Sequence, residues 1–320
     1  MKKKAFITGI TGMDGSHLAD LLLKKDYEVY GLCRAFSDKS NIKHLKNKVD
    51  IFIGDIVQPE DLRNIISDIS PDEIYNLAAQ SSVGKSWSIP DYTFSTTCQA
   101  VVRILDIIKS SGKNIKFFQA GSSEMFGNAG CSYINESTNF CPNSPYATAK
   151  LAAYHSTKIY RDSHSLFAVN GILFNHESER RGSNFVTRKI TSGVAKIKLG
   201  IEDSIVLGNL DVERDWGYAP DYVRAMWMMM QQERPDDYIV STGASHSLGY
   251  FLETAFKSVG IDNWADYVKQ DPRYMRPSDI ATLRGDNSKI KNNLGWRPEI
   301  SFEAMVEKMV NNDLKLLLKT

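Results

Sequence analysis

Long apolar runs are missing from this chain. No segment approaches the roughly 20 consecutive apolar residues that a membrane-spanning helix needs, so no transmembrane helix and no membrane partner are expected. Net charge is almost missing too. Lys and Arg number 39 against 38 Asp and Glu over 320 residues, which leaves no basic field to draw a nucleic-acid partner. The one basic cluster, Lys2-Lys3-Lys4, runs straight into a strand and reads as its solvated start. Cysteine is scarce. Cys33, Cys98, Cys131 and Cys141 show neither metal-ligand spacing nor the density of a disulfide framework, so no metal site is expected and a reducing, cytoplasmic setting is. Internal repeats and low-complexity linkers are absent. The strand Ala5–Thr8 leads directly into a glycine-rich loop, so the N-terminus reads as part of the fold and not as a signal peptide.

What is present is an ordinary soluble composition, 42% hydrophobic and 24% charged, at a length that suits one large or two medium domains. After Ala5–Thr8 come Gly9, Gly12 and Gly15 in Gly-x-x-Gly-x-x-Gly spacing, then Ser16–Leu23 with helical periodicity. Strand, glycine turn and helix in that order are the context of a dinucleotide site, with the helix N-terminus facing the phosphates. The second strand, Glu28–Cys33, ends at Arg34. An acid at this tip would take the ribose hydroxyls of NAD, whereas an arginine matches a 2′-phosphate, so NADP is the expected cofactor. A third strand, Val49–Ile53, places Asp55 and Ile56 to touch adenine. Helix Asp61–Ile69, strand Glu73–Ala79, helix Val101–Ile108 and strand Ile115–Gln119 follow. This alternation predicts an α/β chain with a Rossmann-type, doubly wound parallel sheet.

The fifth strand is the chemical centre. It runs into Ser122-Ser123-Glu124, at the end of the sheet where ligands bind. Pro145 then opens a helix, and Tyr146 and Lys150 lie four apart on one face of it. An ammonium beside a phenol is expected to lower the tyrosine pKa and make a usable base. Ser122, Glu124, Tyr146 and Lys150 are therefore the catalytic candidates. A long buried strand, Leu166–Phe174, ends in Asn175, His176 and Glu177, then Arg180 and Arg181; polar groups there read as ligand contacts. Arg181, Lys189, Arg214 and Arg276 all fall late in the chain and would match the oxygens of a second diphosphate. Helices are expected at Val186–Leu199 and Pro220–Gln231, and a last strand at Tyr238–Thr242. The expected division is 1–174, with returning segments near 205–245, as the cofactor-binding domain. Residues 175–204 and 246–320 then form a smaller, mainly helical substrate-binding domain.

Taken together, Thr8–Gly15, Asn76–Val83, Ser122–Gly127, Ser144–Lys150, Gly171–Ser178, Phe185–Ile190, Leu207–Asp211, Arg214–Gly217 and Asp271–Pro277 resemble the GDP-mannose 4,6-dehydratase family of extended short-chain dehydrogenases. The resemblance covers nearly the whole chain. It implies that Thr11, Met13, Asp14, Leu77, Ala79, Ser81, His176 and Arg181 join Gly9, Gly12, Arg34, Tyr146 and Lys150 at NADP. It implies a GDP-sugar bound by Ser82, Val83, Glu124, Asn175, Val186, Lys189, Gly208, Arg214, Arg276 and Asp279. It also implies that Tyr146 takes the sugar O4 proton, and that Glu124, assisted by Ser122, serves C5 and C6. Met13, Ser122 and Ala35-Phe36 depart from the family's usual glutamine, threonine and arginine-serine run. The sugar, GDP-mannose or GDP-manno-heptose, stays open, as does the choice between a homodimer on the Tyr146 helix and a tetramer. An epimerase or 4-keto reductase is the alternative within the fold, and neither needs a carboxylate at Glu124.

Overall fold

Apolar runs of four to six residues, alternating with amphipathic helices, can bury both faces only as a parallel sheet between helical layers. The computed structural model describes residues 1–130, 133–274 and 282–319. Six strands, β1 (Lys4–Thr8), β2 (Glu28–Cys33), β3 (Asp50–Ile53), β4 (Glu73–Asn76), β5 (Lys116–Ala120) and β6 (Ala168–Leu173), are joined by Tyr238–Val240. The order is Tyr238–Val240, β6, β5, β4, β1, β2, β3, and every neighbouring pair is parallel. One face packs Ile7, Tyr75, Phe118 and Val169 beneath helices Met13–Lys24 and Ala219–Met230. The other face carries Phe6, Ile74, Phe117 and Ala168, one apolar row in register across β1, β4, β5 and β6. Helices Pro59–Ile69, Ala100–Ser111 and Pro145–His164 cover it. Strand order reverses between β1 and β4, which opens a crevice at their carboxyl ends.

The predicted elements are found with small shifts. One shift of three residues is at β4, which stops at Asn76 and not Ala79. Beyond it, Leu77 N still reaches the Thr8 carbonyl at 3.3 Å, and the N–H groups of Leu77 and Ala78 also turn onto the Thr8 hydroxyl, each at 3.2 Å, where the regular ladder ends. A third cluster gathers Ile190, Val194, Ile205, Leu207, Trp216, Phe251, Phe256 and Met305. It lies between helices Val186–Lys198, Leu248–Lys257 and Phe302–Leu317. Residues 219–230, Ile290 and Trp296 pack on the sheet instead. Among the described residues no helix is long and apolar enough to cross a membrane.

Two buried carboxylates tie distant segments to the sheet. Asp215 accepts from Thr242 N (2.8 Å), Thr242 Oγ1 (2.6 Å), Gly243 N (2.9 Å) and Gly285 N (3.3 Å); burial pushes its carboxyl up to about 6 against the pull of these donors. Asp237 accepts two bonds from Arg161 (2.7 and 2.9 Å) and two from Asn170, both 3.0 Å. Arg161 belongs to the Pro145–His164 helix, so this pair fixes that helix to the last sheet strand. Removing one partner of a buried ion pair strands the other charge, at a cost of about 3–5 kcal/mol. Asp237→Ala is expected to lower the free energy of unfolding in urea by that amount, through a lower midpoint at unchanged slope, and a loss below about 1 kcal/mol would show that the pair is surface-like.

Candidate active site

The glycine loop is built by close approach. Gly9 has φ +73°, and a Cβ there would meet the Ala78 nitrogen at 2.9 Å; a Cβ on Gly15 would run into the Gly9 carbonyl. Gly12 occupies the cap position of helix Met13–Lys24 and has no side chain to spend on its first-turn N–H groups. A bare helix N-terminus at the β1/β4 crevice fits the pyrophosphate of a dinucleotide. Thr11 and Met13 complete the loop, and Asn41 Nδ2 donates to both the Thr11 and the Arg180 carbonyl, 3.2 Å each. Arg34 lies exposed at the tip of β2 and donates to the Tyr92 hydroxyl at 2.8 Å. Asp55 accepts from Val57 N, and Ile56 is buried beside it.

A cleft of about 350 Å³ opens at these strand ends. It brings together Asp14, Leu77, Ala79, Ser81, Ser82, Val83, Ser122, Glu124, Tyr146, Lys150, Asn175, His176, Arg181, Val186, Gly208 and Arg214. Gly9, Thr11, Gly12, Met13, Arg34, Asp55, Ile56 and Lys189 do not line it. The first seven follow the path from the glycine loop to the tips of β2 and β3. Lys189 is one turn along the helix that begins at Val186. Arg276 and Asp279 lie outside the described residues.

Each catalytic candidate is placed by its local sequence. β5 ends at Ala120, and Ser122 caps a short turn, Ser123–Phe126, by accepting from Glu124 N at 3.3 Å. Ser144 caps the long helix through Ala147 N (3.1 Å), with Pro145 in its first turn. Tyr146 and Lys150 therefore face the cleft from the first turns of a well-anchored helix. Burial pushes the Tyr146 phenol up to about 12; its hydrogen bond to Ser122 pulls it back, and the Glu124 carboxylate adds to the rise. Burial pushes Lys150 down to about 8, and its ammonium donates to the Ala120 carbonyl at 2.7 Å. This corrects the expectation of a phenol acidified by its lysine. The ammonium is 5.8 Å from the ring centroid, and both groups lose more by leaving water than they gain from each other.

His176 has a partner at each ring nitrogen: Nδ1 faces the Phe174 carbonyl at 2.7 Å and Nε2 the Asp14 carboxylate at 3.0 Å. Burial opposes ionisation of Asp14, but His176 and then Arg181 hold its carboxyl below the usual range. Arg181 is itself bonded to Glu177 and the His176 carbonyl and stacks on Phe185, 4.3 Å from the ring centroid. Strand pairing of Asn175–Glu177 with Trp216–Tyr218 sets Asn175 beside the Arg214 segment. Arg214 is 6% exposed and donates to the Glu213 carbonyl at 2.8 Å. Thr187 was missed in the sequence: it lines the cleft, is 1% exposed, and its hydroxyl has no partner among the described residues. Its signal was weak, one hydroxyl at a helix start. Among the described residues no cluster of His, Cys, Asp or Glu could hold a metal ion.

The fold matches solved structures over nearly all of its length. The UDP-glucose 4-epimerase of Thermotoga maritima superposes with a TM-score of 0.88 at 23% identity, covering 98% of this chain and 99% of that one. The dTDP-glucose 4,6-dehydratase of Bacillus anthracis, in complex with NAD, gives 0.86 at 20% identity over 98% and 97%. Sequence relatives are nearer. GDP-mannose 4,6 dehydratase 2 of Arabidopsis thaliana is 49% identical over 98% of this chain and 88% of its own. The human GDP-mannose 4,6 dehydratase is 42% identical over 98% and 92%. The family model for GDP-mannose 4,6 dehydratase matches residues 6–309, and with that match the chain belongs to the GDP-mannose 4,6-dehydratase family.

Proposed function

We propose that this protein is an NADP-dependent GDP-mannose 4,6-dehydratase, with GDP-manno-heptose as the alternative sugar. The observation that carries the reading is a carboxylate, Glu124, in the same cleft as Tyr146 and Lys150. Oxidation at C4 needs one base; elimination of water across C5 and C6 needs a second acid–base group. Bound at the glycine loop, the nicotinamide supplies the hydride acceptor for C4 and the donor for C6. Tyr146, as a phenolate with the Lys150 ammonium beside it, takes the O4 proton and becomes the phenol. The C4 ketone acidifies the C5 proton, which Glu124 removes. Glu124 gives that proton to the C6 hydroxyl, which leaves as water, with Ser122 hydrogen-bonding in the cleft; as C6 is reduced, a proton from solvent, brought by Glu124, completes C5. Arg214 and Lys189 are assigned to the GDP diphosphate and nucleotide, Arg276 with them, and Ser82, Val83, Asn175, Val186, Gly208 and Asp279 to the rest of the substrate. A homodimer through the Tyr146 helix fits the 58% exposure of Ile159 on it, and a cytoplasmic setting fits the free thiols Cys33, Cys98 and Cys141.

Glu124→Gln tests the assignment. With GDP-mannose, and separately with GDP-manno-heptose, the variant is expected to accumulate enzyme-bound NADPH, seen by absorbance. Formation of the 4-keto-6-deoxy product, followed by mass, should drop by about 10²-fold or more. The native enzyme in deuterated water should leave one solvent deuteron at C5. Native-rate product from the variant, or no exchange at C5, would hand the site to the epimerase or reductase reading.

The cofactor choice rests on Arg34. Arg34→Asp places a like charge against a 2′-phosphate, so NADP affinity should fall at least about tenfold more than NAD affinity. Equal loss for both would remove Arg34 from phosphate recognition.

Lys150 makes a stability statement. Its folded pKa, about 8 against 10.5 in the open chain, means that the buried charge destabilises the fold. At about 1.4 kcal/mol per pH unit, this cost is on the order of 3 kcal/mol. The cost is complete below pH 8, shrinks from 8 to 10.5 and vanishes above. The Ala120 carbonyl keeps a second donor in Gln119. Lys150→Met is therefore expected to raise the thermal midpoint at pH 7, with the gap to native closing by pH 10.5, while turnover is lost. A variant less stable at pH 7 would contradict this.

A further inference from the structure

Two residues beyond the apolar row of β1, β4, β5 and β6, the same strands carry a polar one: Thr8, Asn76, Gln119 and Asn170, again in register. None is more than 2% exposed. Polar groups buried in a parallel sheet are costly unless their hydrogen bonds are spoken for. Three of them form a one-way chain. The Thr8 hydroxyl oxygen accepts from Leu77 and Ala78 N–H, so its proton goes to Asn76 Oδ1, at 2.6 Å. That fixes the Asn76 amide, whose Nδ2 donates to Gln119 Oε1 at 2.8 Å. Gln119 Nε2, so oriented, donates to the Ala120 carbonyl at 2.9 Å. The same carbonyl accepts from Lys150 Nζ at 2.7 Å. Asn170 turns aside to Asp237.

A carbonyl oxygen has two lone pairs. We infer that Gln119 is a positioning residue for Lys150: by holding one side of the Ala120 carbonyl it confines the ammonium to the other, on the Tyr146 side of the cleft. The orientation it imposes originates at the strand end that carries the glycine loop. An apolar side chain at 119 would free that lone pair and let the ammonium settle deeper against the strand. The charged and titratable groups around Lys150 are Asp14 from helix Met13–Lys24, Tyr146 on its own helix and, past the phenol, Glu124 and Arg181. None of them makes the chain's final contact with Ala120.

The inference rests on the catalytic reading of Lys150, and the test separates the two. Turnover of GDP-mannose is measured against pH for native enzyme, Gln119→Leu, Gln119→Glu and Lys150→Met. Gln119→Leu should lose about 10²-fold in kcat, the scale of a misplacement of about 1 Å, while KM stays within about twofold because no substrate contact is removed. Gln119→Glu sets a carboxylate beside the ammonium and should move the alkaline limb set by Lys150 up by about one pH unit or more. A native kcat in Gln119→Leu, or an unmoved alkaline limb in Gln119→Glu, overturns the inference. If Gln119→Leu does not fold, Gln119→Glu decides through its kcat: a carboxylate cannot donate to the Ala120 carbonyl, so a native kcat in it overturns the inference. An active Lys150→Met would sink the catalytic reading itself. An inactive one, beside Gln119 variants that behave as native, would sink only the positioning role.

Discussion

A positive charge held out of water at the end of β5 is the constraint around which the rest is arranged. Lys150 is 5% exposed and rests on the Ala120 carbonyl. A buried ammonium is tolerated only where the backbone offers it an oriented acceptor, and here a central strand of the sheet does so. The consequences run outward. The strand must end at Ala120 so that the chain can turn at Ser122 and bring Glu124 round. The helix must begin at Pro145, capped by Ser144, so that Tyr146 and Lys150 enter the cleft one turn apart. The phenol then needs its neighbours to become a base, because burial alone makes it a weaker acid than in water.

Much of this was legible because it is local. Strand, glycine turn and helix are adjacent in sequence, and so are the strand end and its Ser-Ser-Glu. The Tyr146 and Lys150 spacing needs only the period of a helix. What escaped the sequence depends on register or on long-range pairing. The row Thr8, Asn76, Gln119 looks like three unrelated polar residues until the strands are laid side by side. Asp215 reads as one acid in a turn-rich stretch, yet it gathers donors from 242, 243 and 285. The sign of the tyrosine shift also escaped, because spacing gives proximity but not burial.

His176 shows the same limit from the other side. Its place at a strand end marked it as a ligand contact. The structure gives both ring nitrogens protein partners and stacks the ring on Tyr222, with centroids 4.4 Å apart. It clamps the first turn of the glycine-loop helix, through Asp14, to the strand that carries Asn175. The glycine loop and the cleft wall that carries Asn175 are thus one packed unit, not two surfaces that meet by chance.

The pair between Arg161 and Asp237 bears on how the protein is made. The ribosome delivers the Pro145–His164 helix some seventy residues before Asp237, the carboxylate that anchors it. In that interval Arg161 has the Ala168 carbonyl but not its buried carboxylate, and Asn170 lacks the acceptor that holds it in β6. Strands β1 to β6 can all pair before residue 238 is made, but the last seam of the sheet must wait for Tyr238–Val240. A nascent chain thus carries the Pro145–His164 helix with its first turns already capped, while the carboxylate that anchors its far end arrives late in translation.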